Sequence, residues 1–502
     1  MPIKLEQGIN NCQVIYDTRN NDLAGLAAVL RFVSQQNQLL QKVVILTDLS
    51  QPGLAPSSLY DQAAKLLHNQ GVSKLIGIGQ AVASHAAYFQ SLETHFFKDL
   101  PAFLQSNLLA SLQGSLVVVK NAPSTDMASI AKQLFKKCHN TVLEVDLGAI
   151  AHNLHFFRSK IACHTKVMVM VKAFAYGSSN CEVAQLLQHA KVDYLAVTYA
   201  DEGVNLREHG ITVPIMVMNP MPASFHRLIS YQLEPVLYSL ELLASLREFL
   251  TKQQAHLSAH IKLETGMNRL GFGIQDIDQL VHILQNTPSI HIQSMMSHLA
   301  AAGMPQHDAY THQQAQLFQQ LAHDIEQKLG IKVLKHLLNT AGMLRFPAYQ
   351  FDMVRLGIGL YGVGVNEKVQ PALQIASHLK TTISQIKQIS QGATIGYARK
   401  GLAHGPKKVA TLAIGYADGF SKAFGNGQGK VWINGQLAPV LGEVCMDMCM
   451  VDVSHIPAQQ GDEVVIFGKE YAIAQVAKSA HTIAYEILTN VSERVKRIYY
   501  TD

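Results

Sequence analysis

Along most of the chain, short β-branched runs alternate with longer stretches in which apolar residues recur at helical spacing. In the first part these runs are VIYD from Val14, VVILTD from Val43, KLIGIG from Lys74 and SLVVVK from Ser115. Helical patterns follow them over 22–36, 58–70, 80–89 and 126–136. That alternation predicts a small doubly wound, Rossmann-like α/β domain with a mainly parallel sheet over 1–138. From Thr141 the pairs restart: VLEVDL, VMVMVKA, YLAVTY, IMVM, PVLYS, HIKLETG, HIQSMMSHL, VLKHLLNT and MVRLGIGLYG. Eight or nine strand and helix steps over about 220 residues predict a TIM (β/α)8 barrel, assigned to 139–370. Beyond it helical spacing nearly vanishes. HLKTTISQIKQI, KVATLAIGYADGF, GKVWINGQLAPVL, EVCMDMCMVDV and DEVVIFG, separated by Gly, Asn and Pro turns, predict an all-β domain over 371–502.

Within the barrel region, VMVMVKAFAYGSSN (Val167 to Asn180) is apolar on both strand faces, the mark of a buried parallel strand, and it runs into Lys172. An amine at the carboxyl end of a barrel strand faces the mouth where such folds keep their chemistry. Burial lowers its pKa toward a neutral nucleophile, as Schiff-base chemistry requires. A strand-end lysine can also simply snorkel to water. The other strand ends gather Tyr176, Arg269, His298, Asn339, Thr340 and Arg355, a set rich in groups that bind anions.

Composition narrows the classes. A chain of 502 residues exceeds one core, and 48% hydrophobic with 15% charged residues describes a globular protein. A formal charge of +5 without a Lys/Arg block gives no nucleic-acid or membrane attraction. The start, MPIKLEQGINN, lacks the apolar core of a signal peptide and no apolar run reaches the ~20 residues of a membrane span, so a cytoplasmic protein is expected. Cys12, Cys138, Cys163, Cys181, Cys445 and Cys449 show neither disulfide nor zinc spacing, and no metal is expected. Cys445 and Cys449 alternate with Met and Asp as in a packed strand. GIGQAVA is a weak dinucleotide signal, and no GxxxxGK[ST] phosphate loop occurs.

VKAFAYG, KLETGMNR, VRLGIGLYG, AIGYADG, GEVCMDM and NVSERVKRIY follow one another in the order seen in alanine racemases, and residues 141–502 resemble that pyridoxal phosphate (PLP) family throughout. Phe174 stands where the family's VKANAYG has asparagine. The resemblance implies that Lys172 holds PLP and acts as base on one face of the substrate Cα. Tyr416, supplied by the second subunit of a head-to-tail homodimer, acts on the opposite face. Arg355 would meet the pyridine nitrogen, where an always-charged arginine cannot accept the proton that an acid would donate. Arg269 would bind the substrate carboxylate or the PLP phenolic oxygen, and Lys262 is carbamylated in many relatives. The phosphate would rest on Tyr176, Thr340, the backbone of Gly357 and Ile358, and Tyr499. His298 would stack on the ring and Asn339 would orient nearby groups. Met446 and Asp447 would reach the substrate from the partner subunit. Structural readings stand beside these: a turn-capping Tyr416, a rim salt bridge for Arg355, a core His298, a Lys262 paired with an acid, and a core strand at Met446 and Asp447.

VIYDTRNNDLAGLAAVLRFV, VVILTDLSQPGL and GVSKLIGIG resemble the carboxyl-terminal domain of Mur ligases, in the version fused to alanine racemase. A ligase also needs an ATP-binding and a substrate-binding domain, so residues 1–138 are expected to be a remnant or a docking unit for another cell-wall enzyme. The expected function is interconversion of L- and D-alanine for peptidoglycan. Alternatives are a racemase of broad specificity and a fragment of a bifunctional ligase–racemase. A decarboxylase of the same architecture would carry a glutamate at the pyridine nitrogen and a cysteine motif, and a lone-barrel PLP homeostasis protein would lack the β tail and Tyr416.

Overall fold

The computed structural model describes residues 5–17, 21–34, 41–120, 130, 134, 141–178 and 180–500. The chain divides into two compact units, residues 1–139 and 140–500.

The first unit is a six-stranded sheet built from β1 (Leu5–Gln7), β2 (Gln13–Asp17), β3 (Gln41–Thr47), β4 (Lys74–Ile78), β5 (Glu93–Phe97) and β6 (Ser115–Lys120), in the order β1-β2-β6-β3-β4-β5. Only the β1–β2 pair is antiparallel. Side chains alternate across a strand, so Val44 and Leu46 of β3 pack under the helices Leu23–Ser34 and Pro56–Asn69. Val43 and Ile45 face the other way, into a second core with Phe103, Leu109, Ile130 and Leu134. β1 and β5 escaped the pattern because LEQ is short and ETHFF is only partly covered. Most of the helix expected over 126–136 lies outside the described residues.

The first strand of the second unit stands outside the barrel in which the sequence pattern placed it. VLEVDL forms β7 (Val142–Asp146), which is not a barrel strand. It pairs antiparallel with the strand Ser377–Ile389 and parallel with Lys496–Tyr500, inside the β domain. The barrel consists of β8 (Lys166–Met170), β9 (Tyr194–Val197), β10 (Ile215–Val217), β11 (Leu233–Leu237), β12 (Leu257–Lys262), β13 (Ile290–Met296), β14 (Leu334–His336) and β15 (Met353–Leu356). All pair in parallel, β15 returns to β8, and backbone bonds from Asp352 to Lys335 and from Arg355 to Leu338 join β15 to β14. Strands such as YLAV are buried along their whole length, as expected of a sheet covered on both faces.

The β domain closes on itself. Lys407–Leu412, Cys449–Asp452, Gln436–Leu441, Lys430–Ile433 and Glu463–Phe467 follow one another in the sheet, and the 13-residue strand Ser377–Ile389 pairs with both ends of that series. Two short helices, Ile473–Ser479 and Ala484–Thr489, interrupt what the sequence presents as purely β. The expected strand through VCMDMCM is shorter than its alternation suggests: Cys445 to Met448 form a loop, and the strand starts at Cys449. One continuous hydrophobic core runs from Leu143 through the barrel to Val495. No helix among the described residues is long and apolar enough to cross a membrane.

Candidate active site

β8 ends at Met170, and the chain then turns in an unusual way. Ala173, Phe174, Ala175 and Tyr176 all have φ between 48° and 55°, a left-handed turn of four non-glycine residues that closes on Gly177 at φ 82°. Each such residue costs roughly 1–2 kcal/mol, so the turn persists only because its surroundings fix it. The Ala173 amide donates to Glu202 Oε1 (2.6 Å), the Gly177 amide to the Ala173 carbonyl (2.9 Å), and Arg497 Nε to the Gly177 carbonyl (3.1 Å). Gly177 has no alternative, because a Cβ there would lie 2.2 Å from the Leu488 carbonyl oxygen.

This turn throws Tyr176 inward. Its ring packs on Tyr361 (4.7 Å between centroids) and Tyr485 (5.8 Å), and burial holds its hydroxyl well above the usual tyrosine range, as a proton donor. Thr340 opens the helix Thr340–Arg345, capped by Asn339, whose Oδ1 accepts from the Gly342 amide. Thr340 Oγ1 accepts from the Gly357 amide at 2.9 Å. A Cβ on Gly357 would stand 2.9 Å from Tyr176 Oη and 3.7 Å from Thr340 Oγ1. Two hydroxyls and the start of the turn Ile358–Tyr361 thus surround a space kept open by a glycine, an arrangement suited to a phosphate group.

A cationic group adjoins this cradle. Lys172, Lys262, Arg269 and Arg355 all act electrostatically on His298. Burial and then Arg269 lower the Lys172 pKa, against an opposing pull from Glu202. Burial, Arg269 and Arg355 bring Lys262 down to about 8. Burial and the four cations push His298 down to about 3, so its imidazole is neutral at physiological pH. The nearest acid in sequence, Glu264, is occupied by the amides of its own loop, from Gly266 to Arg269, and its pKa falls accordingly. The mouth is therefore left electropositive, ready for anionic ligands.

Arg355 is buried without a carboxylate, and burial lowers it to about 10. Its terminal nitrogens donate to His336 Nδ1 (2.8 Å) and to the carbonyls of His336, Ser297 and Leu337. Four of its five N–H groups are used, which leaves Nε for a ligand. Because arginine cannot accept, His336 Nδ1 must be bare and Nε2 must carry the proton, donated to Ser294 Oγ (2.8 Å). Ser294 then donates to His260 Nδ1 (2.7 Å). His260 Nε2 lies 2.9 Å from Glu234 Oε2 but off hydrogen-bond alignment.

Tyr416, Met446 and Asp447 gather on two neighbouring loops of the β domain and are exposed, at 41% for Tyr416 and 54% for Met446. The Tyr416 and Ala417 amides donate to the Cys445 and Met446 carbonyls (3.0 Å each), and Arg494 bridges Asp418 (2.7 Å) and Asp447 (2.8 Å). Met446 and Asp447 border a cavity of about 670 Å³ with Tyr397 and Met448. Tyr499 lies on the strand Lys496–Tyr500, two residues after Arg497. The sequence reading missed Glu202, Arg497, His336 and Tyr361. Arg497 and Tyr361 fall within NVSERVKRIY and VRLGIGLYG but were given no role there, and Glu202 carried only the acidic third position of a helix, which points to a cap.

Comparison with known proteins now decides the family. The model of the alanine racemase N-terminal domain matches residues 145–365, and that of the alanine racemase C-terminal domain matches 376–499. The chain belongs to the alanine racemase family. Alanine racemase from Halothermothrix orenii is 35% identical over 368 residues, 72% of this chain and 96% of the relative. The structure of alanine racemase from Clostridium difficile 630 is 34% identical with a TM-score of 0.68, covering 73% of this chain and 97% of its own. That of Bartonella henselae alanine racemase with covalently bound pyridoxal phosphate is 27% identical with a TM-score of 0.67, covering 72% and 99%. As an alanine racemase family member, the chain is an isomerase.

Proposed function

We propose that this protein is a PLP-dependent alanine racemase working through two bases, Lys172 and Tyr416, with the second supplied across a homodimer. The observation that supports it best is the presence at the barrel mouth of a half-buried amine with a depressed pKa and of a cradle that a single Cβ on Gly357 would fill. The cofactor fits the residues present. Tyr176, Thr340, Gly357 and Ile358, with Tyr499, would hold its phosphate, His298 its ring face and Arg355 Nε its pyridine nitrogen. Bound PLP supplies the electron sink that lets an amino acid lose its Cα proton.

The chain's own residues do the rest. Lys172 Nζ, its pKa lowered by burial, takes or returns the proton at Cα on one face. Tyr416 Oη of the partner subunit does so on the other. Arg269 receives the substrate carboxylate or the cofactor's phenolic oxygen, and carbamylation of Lys262 would convert a repelling cation into an anion that orients Arg269. Asn339, by capping its helix, sets the direction of Thr340. Arg355 adds fixed positive charge without a transferable proton, which leaves the developing negative charge on Cα and favours prompt reprotonation. Met446 and Asp447 of the partner would border the entrance, and the exposed Tyr397, Tyr416, Met446 and Met448 form the apolar surface that such a dimer would cover.

The product would be D-alanine for peptidoglycan. Residues 1–138, outside both family matches and Mur ligase-like in sequence, would serve as a remnant or a docking unit for a cell-wall enzyme without ligase activity. Lys172→Ala should abolish both the bound-cofactor absorbance and racemisation. Tyr416→Phe should retain the absorbance and impair proton exchange on one face, read by solvent deuterium incorporation from each enantiomer. A Tyr416→Phe enzyme that kept wild-type rates of racemisation and of Cα-proton exchange from both enantiomers would refute the two-base assignment. Assay across other amino acids decides between an alanine enzyme and one of broad specificity.

A further inference from the structure

Outside the residues assigned above, Glu202 is the side chain whose bonds lead most directly to the reacting amine. It is the third residue of the helix Ala200–Glu208, which follows β9. Its Oε2 accepts from the amides of Thr198 (2.7 Å) and Tyr199 (3.2 Å), the ordinary work of an acidic residue at that position. Its Oε1 does something a cap does not require. It accepts from the Ala173 amide at 2.6 Å, on the neighbouring strand end.

Ala173 follows Lys172 and is the first of the four left-handed residues. The carboxylate therefore grips, through Oε1, the place where the chain leaves β8 and reverses hand, while Oε2 anchors it to the start of its own helix. Arg497 holds the other end of the turn through the Gly177 carbonyl, so the turn is fixed at its two termini by side chains from elements distant in sequence. We infer that Glu202 is a positioning residue for Lys172: by fixing the Ala173 amide it sets the direction in which the amine enters the mouth. Its charge also opposes the effect of burial and Arg269 on that amine. The inference rests on the reading of Lys172 as the PLP-bearing residue.

Two substitutions separate positioning from capping. Glu202→Asp is one methylene shorter: it still serves as a cap acceptor but no longer spans to Ala173. Glu202→Gln keeps the length but replaces one acceptor oxygen with a donor, which then opposes an amide N–H on one side. The full chain of each variant would be titrated with PLP and followed by absorbance, alongside kcat and KM for alanine and thermal unfolding without PLP. Both variants should bind PLP at least ~10-fold more weakly and lose at least ~10-fold in kcat, with KM within about twofold and unfolding temperature unchanged, since an ångström of misplacement costs up to ~100-fold in rate. Wild-type PLP affinity and kcat in Glu202→Asp, or losses in both variants that follow a fall in unfolding temperature, would overturn the inference and leave a helix cap. Lys172→Ala is the companion control. Covalent PLP surviving in that variant would overturn the Lys172 reading and this inference together, whereas its loss beside a wild-type Glu202→Asp would overturn the inference alone.

Discussion

Lys262 shows how much a single residue's surroundings can change its chemistry. With a pKa of about 8 in place of 10.5, about a tenth of its side chain is neutral at pH 7, against about 0.03% for an ordinary lysine. Only the neutral amine adds CO2, so the burial and cationic neighbours that depress the pKa also favour carbamylation. With 13C-bicarbonate, the protein should give a carbamate resonance that Lys262→Met lacks. The same depression predicts a pH effect on the PLP-free, uncarbamylated protein. Between pH 8 and 10.5 the unfolded chain binds more protons at this position than the folded one, so folding stability rises with pH across that window and its Lys262 share is lost as pH falls through 8. In denaturant unfolding, the change in stability from pH 8 to pH 10.5 should be more positive for the wild type than for Lys262→Met, the difference being this residue's share.

At the scale of elements, the site depends on junctions. Gly357 sits where β15 passes into the turn Ile358–Tyr361, and a methyl group there would crowd Tyr176 Oη. Gly357→Ala should weaken PLP binding by at least ~10-fold, about 1.4 kcal/mol, in an absorbance titration. Ser294 joins β12 to β14 by linking His260 to His336. Ser294→Ala leaves two buried imidazole nitrogens unpaired and should destabilise the fold by about 1–3 kcal/mol in urea unfolding.

These junctions also mark what the sequence could convey. The strand before Lys172 was legible because a run apolar on both faces has one simple explanation, and the residues at strand ends followed from the barrel itself. The left-handed turn was not, because nothing local in AFAY favours it. It is imposed by Glu202 and Arg497, which lie outside the motif. VLEVDL was misplaced for a related reason. A strand followed by a helix looks the same whether it joins a barrel or not, and its actual partners lie more than 200 residues away. VCMDM misled in the opposite sense: its alternation suggested a strand, but a backbone that must accept the Tyr416 and Ala417 amides cannot also stay in a ladder.

At the scale of the molecule, each unit has cores of its own among the described residues. A chain beginning at Asn140 should therefore fold and keep its racemase activity, a result that would confine residues 1–139 to some other task. The proposed composite site makes a stronger demand. Sedimentation should find a dimer under assay conditions, and mixing a Lys172→Ala chain with a Tyr416→Phe chain should restore about a quarter to a half of native activity, through mixed dimers that keep one intact site. An active monomer would exclude a shared site.

β7 lies parallel to the final strand, with Val142 opposite Lys496 and Asp146 opposite Tyr500. Synthesis on the ribosome therefore delivers one strand of the β domain before any of the barrel, and both of its neighbours, Ser377–Ile389 and Lys496–Tyr500, only after the barrel. While the barrel is being made, β7 must wait with both edges unpaired, and a chain cut before Lys496 would leave one of them so.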